Sequence, residues 1–231
     1  MIEALYAVVF EALSNHRFPL VYGADCSVLL AVVPGLRDVM GRAGLVFIDA
    51  HEDATPMELS PDGEVASMEI ALLLGLTGEH APMPLRARLP ALKSDAVAVL
   101  GPRDEPERNG RNIATLADRV LLRTAGDLCA NPGEIAQAAV RQVRLHTPAW
   151  WLHTDLDVLA ETEFNARGAP GEIHLPGGLT WSQLTEIVSR ALQTGGCCGW
   201  SLVIYNPDLD PDGSAGQRIV RFVSDVAPYL P

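Results

Sequence analysis

The sequence contains no hydrophobic run of bilayer length. Its apolar stretches, 27–33 and 70–76 among them, are far short of the roughly 20 residues that a membrane-spanning helix needs. Residues 1–13 lack a basic leader segment and carry Glu3 and Glu11, so no signal peptide is expected. Cysteine is scarce: Cys26, Cys129, Cys197 and Cys198 form no CxxC pair, and the adjacent Cys197 and Cys198 make a poor structural disulfide. A reducing, cytoplasmic setting fits that usage. Basic residues are also few, 17 against 29 acidic ones, giving a net charge of −12. That balance argues against nucleic acid or an anionic membrane as the main partner, because both reward a basic face. There is no internal repeat and no low-complexity segment.

What is present is a well-supplied core. Hydrophobic residues make up 48% of 231, which excludes global disorder and suits one α/β domain or two small ones. Hydrophobic runs alternate with amphipathic stretches, the pattern of parallel strands covered by helices. The expected strands are 19–22, 44–48, 96–100, 120–123, 149–153 and 198–204. The expected helices are 1–14, 27–39 with a break at Pro34 and Gly35, 68–76, about 132–145, one starting at Thr180, and 214–226. Cys129, Cys197 and Cys198 read as small buried residues. The fold class is α/β with an open, mostly parallel sheet. Ligands of such sheets bind beyond the carboxyl ends of the strands.

Two acidic motifs stand at such ends. Asp49-Ala50-His51-Glu52-Asp53 directly follows the strand 44–48. Asp at i, His at i+2 and Asp at i+4 can converge as the chain turns, and hard carboxylates with one imidazole suit Mn²⁺ or another octahedral divalent ion. Read alone, the segment is equally a polar loop capping the next helix. Asp155-Leu156-Asp157 follows the strand 149–153, and alternate residues of an extended segment face one side. Two carboxylates pointing together repel unless a cation lies between them. Both motifs should share one sheet edge, with four carboxylates and one imidazole for a pair of ions.

These segments, with Gly23-Ala24-Asp25-Cys26-Ser27, Pro176-Gly177-Gly178-Leu179-Thr180 and Asn206-Pro207, occur in an order that resembles the arginase/agmatinase (ureohydrolase) family. The resemblance covers residues 19–226. It implies a three-layer α/β/α sandwich, a single arginase-like metallohydrolase domain over 1–231, and two Mn²⁺ ions whose bridging hydroxide attacks a guanidinium carbon. It implies Asp49 and Asp155 as bridging, catalytic carboxylates. Cys26 and Asp53 would complete the first metal, and His51 and Asp157 the second. Asp25 and His153 stand behind the ligands, Asp25 orienting one of them and His153 hydrogen-bonding within the site, though a structural role fits His153 equally. The implied partner is a small molecule cleaved at a C–N bond. Family members form trimers and hexamers, which suggests a homo-oligomer.

The sequence also departs from the family. Cys26 stands where the family has a ligand histidine, and a softer thiolate shifts preference towards Zn²⁺ or Fe²⁺. His153 stands where the family usually has serine. The carboxylate that clamps the guanidinium corresponds to Ile204, and the catalytic histidine to Ala66. Glu64 is the nearby candidate for catalysis and substrate binding, with Glu69 as a partial substitute or a residue on a helix face. His174, before the PGGLT segment, is a second substrate-binding candidate. Arg103 is expected to pair with an acid. The N-terminal strand and helix of the family read as short or missing. An unpaired guanidinium beside Ile204 would be costly, so a less basic amidine or an N-hydroxylated guanidine fits better. The alternative is a catalytically degenerate metal-binding or scaffold protein of the same fold. A deacetylase-like enzyme with one zinc ion is weaker, because the chain has no adjacent histidines.

Overall fold

In the computed structural model, which describes residues 1–61, 63–168 and 175–231, helices cover both faces of a six-stranded sheet. The strands are β1 (Leu20–Tyr22), β2 (Gly44–Ile48), β3 (Val97–Leu100), β4 (Leu121–Arg123), β5 (Trp150–Asp155) and β6 (Cys197–Val203). The helices are α1 (Ile2–Ser14), α2 (Leu29–Met40), α3 (Glu69–Leu74), α4 (Met83–Arg86), α5 (Glu105–Gly110), α6 (Ala125–Leu128), α7 (Pro132–Arg144), α8 (Trp181–Gln193) and α9 (Ser214–Val226). The strand order is β1-β6-β5-β2-β3-β4, and every ladder among the described residues is parallel.

Parallel strands are buried on both faces, and β2 and β3 are apolar throughout for that reason, while β5 is apolar over Trp150, Trp151 and Leu152 and ends in the buried polar residues His153, Thr154 and Asp155. Alternation along each strand then divides the core in two. Leu45, Phe47, Val97, Val99 and Trp151 pack under α1, α2 and α3. Val46, Ile48, Ala98, Leu100, Leu152 and Trp200 pack under α7, α8 and α9. Thr180 caps α8 through a reciprocal pair with Gln183, and Trp181 and Leu184 of its first turn are buried.

Three local expectations differ from what is observed. The helix α2 runs unbroken through Pro34 and Gly35. The proline removes one N–H, but Leu29 to Leu36 are all buried, and that packing outweighs the roughly 3 kcal/mol of an interior proline. The short helices α4, α5 and α6 have four to six residues each, too few for a hydrophobic period to register. Cys129, at the end of α6, is exposed rather than buried. No helix among the described residues is long and apolar enough to cross a membrane.

The PGGLT segment has a specific structural task. Gly178 has a φ of 115°, and a Cβ there would lie 2.6 Å from the backbone nitrogen of Ala160. Leu179 exchanges backbone hydrogen bonds with Val158 and Ala160, both 2.9 Å, and so pins the segment that follows Asp157. Only glycine fits that approach and that backbone angle. Gly178→Ala is expected to lower stability by about 1–3 kcal/mol, read from the midpoint of urea unfolding.

Candidate metal centre

Parallel pairing aligns the carboxyl ends of β1, β6, β5 and β2 along one edge. Ile48 lies opposite Thr154, Asp155 opposite Val203, and Tyr22 opposite Leu202. The next residues of each strand are therefore neighbours: Asp49 after β2, Asp157 after β5, Ile204 after β6, and Asp25 and Cys26 after β1. Gly101, after β3, has a φ of 105° and leaves room for Asp49, whose carbonyl oxygen would lie 2.9 Å from a Cβ at that position.

Backbone amides fix the carboxylates. The amide of His51 donates to Asp49 Oδ1 at 2.7 Å, that of Asp157 to Asp155 Oδ1 at 2.7 Å, and that of Ala50 to Asp157 Oδ1 at 3.1 Å. His51 Nδ1 lies 2.9 Å from Asp157 Oδ2 and 3.3 Å from Asp49 Oδ1. Asp25 accepts from the amide of Ser27 at 2.9 Å and so caps the turn Cys26–Val28 that carries the thiol. Cys26 Sγ lies 3.1 Å from Asp155 Oδ2, 3.4 Å from Asp49 Oδ2 and 3.2 Å from His153 Nε2. His153 stacks on Phe47 with 5.1 Å between ring centres, and its Nδ1 meets Ser201 Oγ at 2.7 Å.

The electrostatics are lopsided. Asp49, Asp53, Asp155 and Glu69 are buried. Burial, and then the neighbouring carboxylates, push Asp49 and Asp155 well above the usual carboxylate range. Burial and Glu69 do the same to Asp53. Burial lifts Glu69 to about 8. Burial also raises the Cys26 thiol, with Asp155 and Asp49 adding to it. Asp157 is the exception: burial would raise it, but the charge of His51 and its hydrogen bond prevail and hold it low. Burial works against a proton on His51, and Asp157 and Asp49 overcome it, raising its pKa well above the ordinary value. His153, buried, falls to about 3 and stays neutral.

Several supporting residues went unrecognised in the sequence. Arg103 pairs with no acid among the described residues; it donates to the carbonyls of Asp157, Val158 and Leu159 at 2.8–3.3 Å. Arg167, buried, donates to the carbonyls of Asp157 and Leu159 at 2.9 and 2.7 Å. Glu52 points away from the centre, to Arg108 at 2.8 Å, and Asp104 holds the other side of that guanidinium at 3.1 Å. Carbonyl acceptors leave no signature in a sequence, and the Glu52 pairing spans 56 positions of chain.

A cleft of about 310 Å³ opens onto the centre. Asp25, Cys26, Asp49, His51, Asp53, Asp155 and Asp157 line its floor with Ile204 and Ala66. Glu64 lines it as well and is exposed. Arg108 and Arg111 belong to the same lining. Ile204 has a φ of 80°, which costs a β-branched residue about 1–3 kcal/mol. His174 lies outside the described residues.

The donor set fits divalent cations. Donor atoms of Asp49, Asp155 and Asp157 lie within 4.8 Å of one another, as do those of Asp49, His51 and Asp53, of Cys26, Asp53 and Glu69, and of Cys26, Asp49 and His153. Ligands around one ion at ~2.0–2.4 Å span about that distance. Carboxylates outnumber the one histidine that pairs with them, and bound cations would supply the missing positive charge.

Comparison with known proteins agrees with this layout. The family model described as Arginase, the arginase family, matches residues 1–227. An arginase of Brevibacillus brevis is 25% identical over 224 residues, covering 97% of this chain and 73% of that protein. The crystal structure of the Bacillus caldovelox arginase superposes with a TM-score of 0.84 at 24% identity, covering 97% of this chain and 73% of that one. The formimidoylglutamase of Bacillus subtilis superposes with a TM-score of 0.75 at 18% identity, covering 99% and 66%. With a parallel α/β/α sandwich, acidic motifs at adjoining strand ends and a family match over nearly its whole length, the chain belongs to the arginase family.

Proposed function

We propose that this chain is a single-domain hydrolase that holds two divalent cations and cleaves a C–N bond in a guanidino or amidino compound. The observation that carries the reading is the convergence of Asp49, Asp53, Asp155 and Asp157 on one edge, with His51 as their paired imidazole. Mn²⁺ suits the oxygen-rich donors, and the thiol of Cys26 leaves Zn²⁺ or Fe²⁺ as the second choice.

Asp49 and Asp155 lie between the two halves of the site and would touch both ions. Cys26 and Asp53 would hold one, His51 and Asp157 the other. When bound, the pair supplies a water acidified to near neutrality and a positive field for the developing charge. The amides of His51, Asp157 and Ala50 keep the carboxylates in register before any ion arrives, so little reorganisation is needed. Glu64, exposed at the rim, is placed to meet a substrate N–H and to carry a proton to the leaving nitrogen.

Ile204 sets the substrate class. A planar cation over an isoleucine loses its hydration and gains no counter-charge. A neutral or weakly basic group, such as an N-hydroxylated guanidine, is desolvated at lower cost. The second reading, a non-catalytic metal-binding or scaffold protein, is favoured by Ala66 and Ile204 both lining the cleft. It expects less than one ion per chain and no hydrolysis of any amidine.

Elemental analysis after reconstitution with Mn²⁺ is expected to give two ions per chain, falling towards zero in Asp155→Asn together with turnover. Normal activity in Asp155→Asn would sink the assignment. Cys26→Ser is expected to keep the fold and change the relative affinity for Mn²⁺ and Zn²⁺ in favour of Mn²⁺, measured by competition. Ile204→Glu is expected to improve kcat/KM for unmodified guanidinium compounds over N-hydroxyguanidines. The change should be roughly tenfold or more, the worth of a charge-assisted hydrogen bond of ~1.5–3 kcal/mol. An unchanged ratio would remove Ile204 from the account of specificity.

A further inference from the structure

Glu69 is a buried acid that the two-metal scheme above leaves unused. It opens the helix α3 and is 0% exposed. Neither of its carboxylate oxygens has a hydrogen-bond partner among the described residues. The group lies close to its own backbone amide and to the carboxylate of Asp53, yet reaches neither in the geometry of a hydrogen bond. An uncompensated buried carboxylate costs several kcal/mol. The favourable field at a helix start returns only about 0.3–1 kcal/mol. Packing offers no reason for it either, because Met68, Ile70, Ala71, Leu72 and Leu73 around it are all apolar core.

The position of the group supplies the reason. One Glu69 oxygen, Cys26 Sγ and one Asp53 oxygen lie within 4.8 Å of one another. The placement is fastened by the backbone, since the amide of Ile70 donates to the Asp53 carbonyl and that of Thr55 to the Ser67 carbonyl, both at 3.0 Å. Two carboxylates held that way share either a proton or a cation. Of Glu64 and Glu69, the two acids weighed as candidates after the DAHxD loop, Glu64 is exposed and Glu69 is buried.

We propose that Glu69 is a ligand of the ion held by Cys26 and Asp53, giving that site a hard oxygen donor beside the sulfur of the cysteine. With Asp49 and Asp155 the ion then has five protein donors, close to the six that a hard octahedral cation such as Mn²⁺ takes. The proposal rests on the two-metal reading, and it accounts for how a centre with cysteine in a ligand position retains a manganese-type shell.

The test is Mn²⁺ titration of the full chain by calorimetry, with thermal melting in chelator and in Mn²⁺. Wild type is expected to take two ions. Glu69→Gln should keep one and bind the other at least about tenfold more weakly. In chelator the same variant should melt no lower than wild type, because the side chain it replaces makes no hydrogen bond to the described residues, and it should gain less from Mn²⁺. Glu69→Leu, which suits the apolar surroundings, should repeat both effects. Two ions bound by Glu69→Gln with unchanged affinity, or a lower melting point in chelator for both variants, would overturn the assignment of Glu69 and leave the two-metal reading standing. A wild type that binds no ion would overturn both.

Discussion

Like charges held together out of water constrain everything else at this edge of the sheet. Asp49, Asp53, Asp155 and Glu69 are buried, Asp157 is half-buried, and His51 pairs with only part of that charge. Such a cluster is unfavourable unless protons or cations enter it. The fold accepts the cost by anchoring Asp49, Asp155 and Asp157 to backbone amides and by placing the buried guanidinium of Arg167 against the carbonyls of the loop after β5. The parallel sheet makes the gathering possible, because its strand ends expose consecutive residues of distant segments side by side.

The two strands that carry the acidic motifs were legible because each is a continuous apolar run ending in acids. Their adjacency also followed from the parallel pattern, and the ordered motifs named the family. The rest depended on contacts that no local pattern encodes. Pro34 read as a helix break until its burial inside α2 was visible. Arg103 read as the partner of an acid, whereas its acceptors are carbonyls that every sequence possesses. Glu69 read as a residue on a helix face, because a short helix of six residues gives too few turns to show which face is inside.

The substitutions at this centre are related in space. Cys26 and His153 were both read as departures from the family pattern, and His153 on β5 brings an imidazole to within 3.2 Å of the Cys26 sulfur. Ser201 and Phe47 hold that ring from two other strands.

The left-handed backbone at Ile204 has one further consequence. Its amide donates to the carbonyl of Ala24 at 3.1 Å, tying the end of β6 to the loop that leads into Cys26. The tie is made by main-chain atoms alone. The side chain at 204 can therefore vary without loosening the seam between these two strand ends. Under the proposed function, choice of substrate and grip on the ions would in this way be mechanically independent, and the cleft would be free to change what it accepts while the centre beneath it stays as it is.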